Sequence, residues 1–244
     1  MTPSAAPDAL LGALIEAPAP TGGYRLPERW RARSPALDAL AEAAVFVDLG
    51  YECHTGADDN RKARDRFTLR MRLPLGALGL RPRLLAARWS VDRASADFLR
   101  ATSPEGTFTL EQTPDPGLFR GELDLGRAPL SADALRALPS AIPGFQGLAG
   151  LFNLGRVRSL GARRHQTGAL MARADLGYGS LQGEHARGVA TSAGLRPDAH
   201  DDARWRGRSE AGMLHLYLMR DRAAVHLGLE PPMAGAWPDD PDEG

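Results

Sequence analysis

The sequence predicts a mostly β fold of the α+β class: a strongly curved antiparallel sheet or partial barrel with three or four short helices. Three observations lead there. Apolar residues recur at every second position through several separate segments, the signature of half-buried strands. Most of those segments are joined by hairpin-length loops, and the regular alternation of strand with helix that a parallel α/β fold needs is absent. At 244 residues the chain can bury a substantial core, and 43% apolar with 25% charged residues is ordinary for a globular protein.

Residues 1–33 are expected to form a flexible segment with one short helix over 9–16, ending at Ala17-Pro18-Ala19-Pro20 and the Gly22-Gly23 pair. Ser34 can cap a helix that Pro35 starts and that places Leu37, Leu40, Ala41 and Ala44 on one face. The period then switches to two. Val45, Val47, Leu49, Tyr51 and Cys53 share a strand face, as do Phe67, Leu69, Met71, Leu73 and Leu75. Leu85, Ala87, Trp89 and Val91 predict a third strand. Phe108 with Leu110, then Phe119, Gly121, Leu123 and Leu125, predict a hairpin closed by Pro114-Asp115-Pro116-Gly117. Ser131 caps a helix expected over 131–138, and the apolar stretch 142–154, with Gly144, Gly147 and Gly150, reads as a buried connection. Further strands fall at 168–176 and within 204–229, where Leu214, Leu216 and Leu218 must match Ala223, Val225, Leu227 and Leu229. That match allows a two-residue loop at Arg220-Asp221 or a four-residue loop over 220–223. Arg-Asp is a poor two-residue turn, so the longer loop is expected. Residues 34–230 therefore read as a single β-rich domain, followed by a disordered acidic tail over 231–244 that carries Asp239, Asp240, Asp242 and Glu243.

Within that domain, Asp48-Leu49-Gly50-Tyr51 recurs as Asp175-Leu176-Gly177-Tyr178. Each copy is followed by an acidic pair and arginines, Asp58 and Asp59 in one case, Asp201 and Asp202 in the other. The repetition suggests two related β units, 34–126 and 155–230, joined by a helical connection.

The 30 basic and 30 acidic side chains cancel, yet Lys62 is the only lysine. Arginine's planar fork suits phosphate and carboxylate. Residues 134–174 carry arginines and no acid, with Arg156, Arg158, Arg163 and Arg164 close together. No apolar run approaches the roughly 20 residues that span a bilayer, and the first residues lack a signal-peptide pattern, so a cytoplasmic protein without a membrane span is expected. Cys53 is the single cysteine, which excludes an internal disulfide, a thiolate metal cluster and a CxxC pair. There is no GxSxG, Walker lysine motif, HExxH or zinc-finger spacing; no cofactor and no metal is expected.

The expected function is that of a non-catalytic binding protein whose arginine-rich sheet face recognises an anionic partner, nucleic acid first. Arg70, Arg72, Arg156, Arg158, Arg163 and Arg164 are the candidate contacts. Two other readings compete: a small-molecule or lipid-binding barrel, or an enzyme, using a central cavity lined by His215, Tyr217 and His226; and an assembly subunit, including a homo-oligomer. Under either hairpin register the two histidines share a face. His54 with Asp58 and Asp59, and His200 with Asp201 and Asp202, read as turn-forming loop residues.

Overall fold

A computed structural model describes residues 6–17, 22–56, 62–154, 156–177, 183–209, 212–218 and 222–229. Helices α1 (Pro7–Ile15), α2 (Glu28–Arg33) and α3 (Pro35–Ala41) precede strands β1 (Val45–His54) and β2 (Arg64–Arg72). Helix α4 (Arg81–Ala86) leads to β3 (Ser90–Ala94), β4 (Phe98–Ser103), β5 (Gly106–Gln112) and β6 (Leu118–Gly126). After α5 (Ala132–Ala137) and α6 (Ala149–Leu154) come β7 (Arg156–Arg164) and β8 (Leu170–Gly177). Helix α7 (Gly183–Ser192) then precedes β9 (Arg196–Pro197), β10 (Arg204–Ser209), β11 (Gly212–Leu218) and β12 (Arg222–Leu229).

The local signals explain many of these boundaries. Ser34 accepts a hydrogen bond from the Ala36 amide and Ser131 one from the Ala134 amide, so both act as the expected caps. The Pro114-Gly117 turn joins β5 and β6 with Gln112 opposite Phe119. The stretch 142–154 is a buried connection, with Ile142, Phe145, Leu148 and Leu151 inside the core. Two expectations are corrected. Residues 85 and 86 end α4 instead of starting a strand, because Pro82 sits in the first helical turn and Leu80 and Leu84 share the buried side. Leu218 pairs with Ala223, the register of the shorter hairpin loop, so His215 lies directly opposite His226.

The strands of the described residues join in one antiparallel sheet of order β3-β4-β5-β6-β2-β1-β7-β8-β12-β11-β10-β9. The sheet is not closed into a barrel, and the described residues contain seven α-helices instead of three or four. Both outer strands are poor templates for further pairing. One carries a register shift beside Asp92 and Arg93, and the other is two residues long and includes Pro197.

Read outward from the centre, β1-β2-β6-β5-β4-β3 on one side and β7-β8-β12-β11-β10-β9 on the other have the same connectivity. The correspondence reaches individual residues. Both central hairpins shift register at matching places, between Phe46 and Asp48 and between Val157 and Ser159. This sets Leu49-Gly50 against Leu160-Gly161. The hairpins Ser103↔Gly106 and Ser209↔Gly212 also match. So do two helix ends, where the Trp89 amide bonds to Leu84 O and the Leu195 amide to Ala190 O. By contrast, the repeated Asp-Leu-Gly tripeptide lies on β1 and β8, strands that do not correspond. Tyr178, Asp58 and Asp59 lie outside the described residues.

The core fills the helix-covered side of the sheet: α1 packs on β1 and β7, α4 on β3, α6 on β7 and α7 on β11. Leu49, Tyr51, Phe67, Leu69, Phe108, Leu123, Leu160, Leu216 and Trp205 all face this layer. The alternate residues of the same strands form the opposite face, on which no described helix packs.

Candidate nucleic-acid interface

Strand register assembles the opposite face row by row, because directly paired residues point to the same side. One row runs Arg196, Arg206, His215, His226, Arg173, Gly161, Glu52, Arg66, Asp124. Its neighbour runs Arg204, Tyr217, Ala224, Asp175, Ser159, His54, Arg64. A third carries Arg208, Met213, Gly228, Met171, Arg163 and Gly50.

In the first half of the face, several arginines are matched by acids, while Arg93 and Arg100 make no ion pair among the described residues. Asp124 pairs with Arg66 at 3.0 Å and Arg64 at 3.6 Å, and Arg120 with Glu122 at 2.9 Å. Near the centre, Asp48 accepts hydrogen bonds from Arg163 Nη2 at 2.9 Å and the Gln166 amide at 2.8 Å, with Arg70 Nη1 at 3.6 Å. Glu52 sits beside His54, whose Nε2 is 3.2 Å from its Oε2. Burial would raise the Glu52 carboxyl pKa, but His54, Ser159 and Arg66 outweigh it and hold the group at about 2.

The second half differs. Arg173, Arg196, Arg204, Arg206 and Arg208 lie on the same face, opposed by Asp175, 3.5 Å from Arg173, and Asp198, 2.9 Å from Arg206. Arg196 and Arg208 make no ion pair among the described residues. Matching the halves through their registers, Glu111, Glu122 and Asp124 correspond to Tyr217, His226 and Gly228, while Arg100 corresponds to Arg206. The acids of one half are thus absent from the other. His215 is buried among these residues, and burial, reinforced by Arg204 and Arg206, lowers its pKa. The Arg204 guanidinium lies 5.7 Å from the centre of the Tyr217 ring.

The sequence-derived candidates separate on this surface. Arg70 and Arg163 converge on Asp48, Arg72 reaches Asp115 at 3.8 Å, and Arg158 crosses Gly177 at the centre. Arg164 faces the helix layer, where it donates hydrogen bonds to Leu14 O, Ile15 O and Gly168 O and ties α1 to β7. The side chains of Arg156 and His226 lie outside the description, although their strand positions are fixed. Arg173, Arg196, Arg204, Arg206 and Arg208 were not among the candidates. Their signal was alternation: Arg204, Arg206 and Arg208 occupy every second position of one strand.

The helix side holds a second charged group. Asp65, fully buried, accepts hydrogen bonds from Arg33 Nε at 2.9 Å, Tyr51 Oη at 2.8 Å and Arg127 Nη1 at 3.0 Å. Arg127 also reaches Cys53 Sγ at 3.2 Å, yet burial pushes that thiol up to about 11. Cys53 and His54 lie on opposite faces of β1, as alternation requires, so they cannot form a nucleophile pair. No cluster of three metal-ligating side chains occurs among the described residues, and none of their helices is long and apolar enough to cross a membrane. Comparisons of the chain with protein-family models, curated proteins and solved structures find no match.

Proposed function

We propose that this is a non-catalytic binding protein that receives an anionic partner on the open sheet face, with nucleic acid as the first candidate. We also propose that it consists of two related β units, 34–126 and 155–230. The observation that carries the functional reading is the charge difference between the halves. Five arginines on β8, β9 and β10 face two aspartates, and the second half has Tyr217, His226 and Gly228 where the first half carries the acids Glu111, Glu122 and Asp124. Guanidinium forks on a rigid sheet are suited to phosphate oxygens, and aromatic side chains are sparse there, which favours backbone recognition over base reading. An open sheet also lacks the enclosed interior that a barrel-type ligand cavity would use.

Fluorescence anisotropy with single- and double-stranded oligonucleotides tests this. Affinity should fall linearly with salt on logarithmic axes, with a slope near −3 for a single strand, about 0.7 per phosphate contact. The double variant Arg206→Ala/Arg208→Ala should lower that slope by about 1.4, whereas Arg120→Ala should leave it unchanged. Salt-independent binding, or none to either nucleic acid at low ionic strength, removes the proposal.

A further inference from the structure

Single exposed leucines are ordinary on a protein surface, but a cluster of them rimmed by cations is not. Among the described residues, the large apolar side chains left exposed are Val45, Leu75, Leu78 and Leu85, and three of these four fall within one short stretch. The stretch leaves β2 at Arg72, passes Pro74 and Gly76, makes a 3₁₀ turn over Ala77–Leu80 and continues into α4. It runs along the edge strand β3, held at one end by the Ala77 amide, which donates to Ala96 O. Ala77, Leu80 and Leu84 face the core, which leaves Leu78 and Leu85, about two turns apart, towards solvent. Leu75 is 82% exposed.

Charge follows the same pattern. Residues 66–91 contain no acid, and Arg81, Arg83 and Arg88 are interspersed with the leucines. Arg83 pairs with Glu42, whereas Arg81 and Arg88 make no ion pair among the described residues. Asp92 and Asp97 of the adjoining hairpin are matched in number by Arg93 and Arg100. The fold does not demand this surface. The paired helix ends at Trp89 and Leu195 put 77–86 in register with α7, where the exposed Glu184 and Thr191 take the places of Leu78 and Leu85.

We propose that the 75–88 segment docks on an anionic lipid bilayer, with Leu75, Leu78 and Leu85 entering the interfacial layer and Arg81 and Arg88 binding lipid headgroup anions. A groove for an apolar peptide would half-bury its own lining. These leucines instead project from the surface, the form suited to insertion among headgroups. The arginines supply the charge complementarity, each multiplying attachment about fivefold at an anionic leaflet. Contact is peripheral and reversible, because three leucines fall far short of a spanning segment. The inference goes beyond the anion-binding reading and does not rest on it, since none of these residues lies on β8, β9 or β10.

Vesicle flotation with the full chain tests it. At low salt the protein should float with phosphatidylcholine vesicles containing about 30% phosphatidylserine and bind pure phosphatidylcholine at least about tenfold more weakly. The variant L75S/L78S/L85S should lose at least about tenfold in binding to the anionic vesicles, and R81Q/R88Q about 25-fold. These positions are all exposed, so thermal unfolding should barely change, and the leucine variant should match wild type towards oligonucleotides. A second readout keeps the patch largely intact. An environment-sensitive dye at Leu85→Cys should shift to the blue on anionic vesicles, whereas one at Thr191→Cys should not; Cys53 is fully buried, so each new thiol is labelled selectively.

Absent binding to anionic vesicles, binding that survives the leucine substitutions, or equal dye responses at the two positions overturns the proposal. So does a wild-type dimer that L75S/L78S/L85S converts to monomer in light scattering without any vesicle binding, which would assign the patch to a second copy of the chain. Vesicle binding without oligonucleotide binding would leave this surface standing and remove the nucleic-acid reading, whereas the opposite pair of results would do the reverse.

Discussion

An aspartate with no solvent exposure must find its hydrogen bonds inside the protein, and Asp65 finds three, from Arg33, Tyr51 and Arg127. Replacing it with asparagine leaves two guanidinium groups without their counter-charge, so Asp65→Asn should cost about 3–5 kcal/mol in urea unfolding. A loss under 1 kcal/mol would mean that this group contributes little. Glu52 makes a pH-dependent contribution. Its carboxyl titrates at about 2 in the folded protein, against 4.5 when unconstrained. The stability it confers is therefore fully present above about pH 4.5 and is lost as pH falls through 2. Wild type should exceed Glu52→Gln in urea midpoint at neutral pH, and the gap should close over that acid range; a gap independent of pH would contradict the assignment. Neither role is legible in the sequence, because Asp65 and Glu52 look like ordinary strand charges until the register supplies their partners.

Caps and turns were legible because their physics is local: Ser34, Ser131 and the Pro114-Gly117 turn each act within a few residues. Helix α4 was misread because Leu85, Ala87, Trp89 and Val91 satisfy period two by coincidence, while the competing Leu80 and Leu84 spacing is only two residues deep. The counterpart of its end offers a test. Arg88 closes α4 with φ of 64°, and Gly194 closes α7 with φ of 77°. A side chain in the left-handed region costs roughly 1–2 kcal/mol, partly offset by glycine's greater freedom in the unfolded chain. Arg88→Gly should therefore raise stability by about 0.5–1 kcal/mol, and Gly194→Ala should lower it by about 1 kcal/mol. Thermal unfolding checks both; a destabilised Arg88→Gly protein would show that the Arg88 side chain outweighs its backbone strain.

At the scale of the molecule, the antiparallel, mostly β character was readable from periodicity, but the openness of the sheet was not, since closure depends on pairings between strands far apart in sequence. The arginine cluster at 156–164 shows the same limit. Period two sends Arg163 to the open face and Arg164 to the helix layer, so proximity in sequence did not mean convergence in space. The arginines that do converge come from β8, β9 and β10 and meet only through register.

The pairing of β1 with β7 bears on how the protein reaches this state. Among the eleven described strand pairings, it alone joins the two halves of the sheet, setting Tyr51 opposite Ala162. Each half can gain most of its strand pairing from shorter chain loops, whereas this junction requires a loop of over a hundred residues to close. Topology thus favours two partly organised halves whose union is the late, slow event of folding. Until that union occurs, the edges of β1 and β7 present unsatisfied backbone groups, and each is shaped to accept the corresponding strand of another molecule as readily as its own.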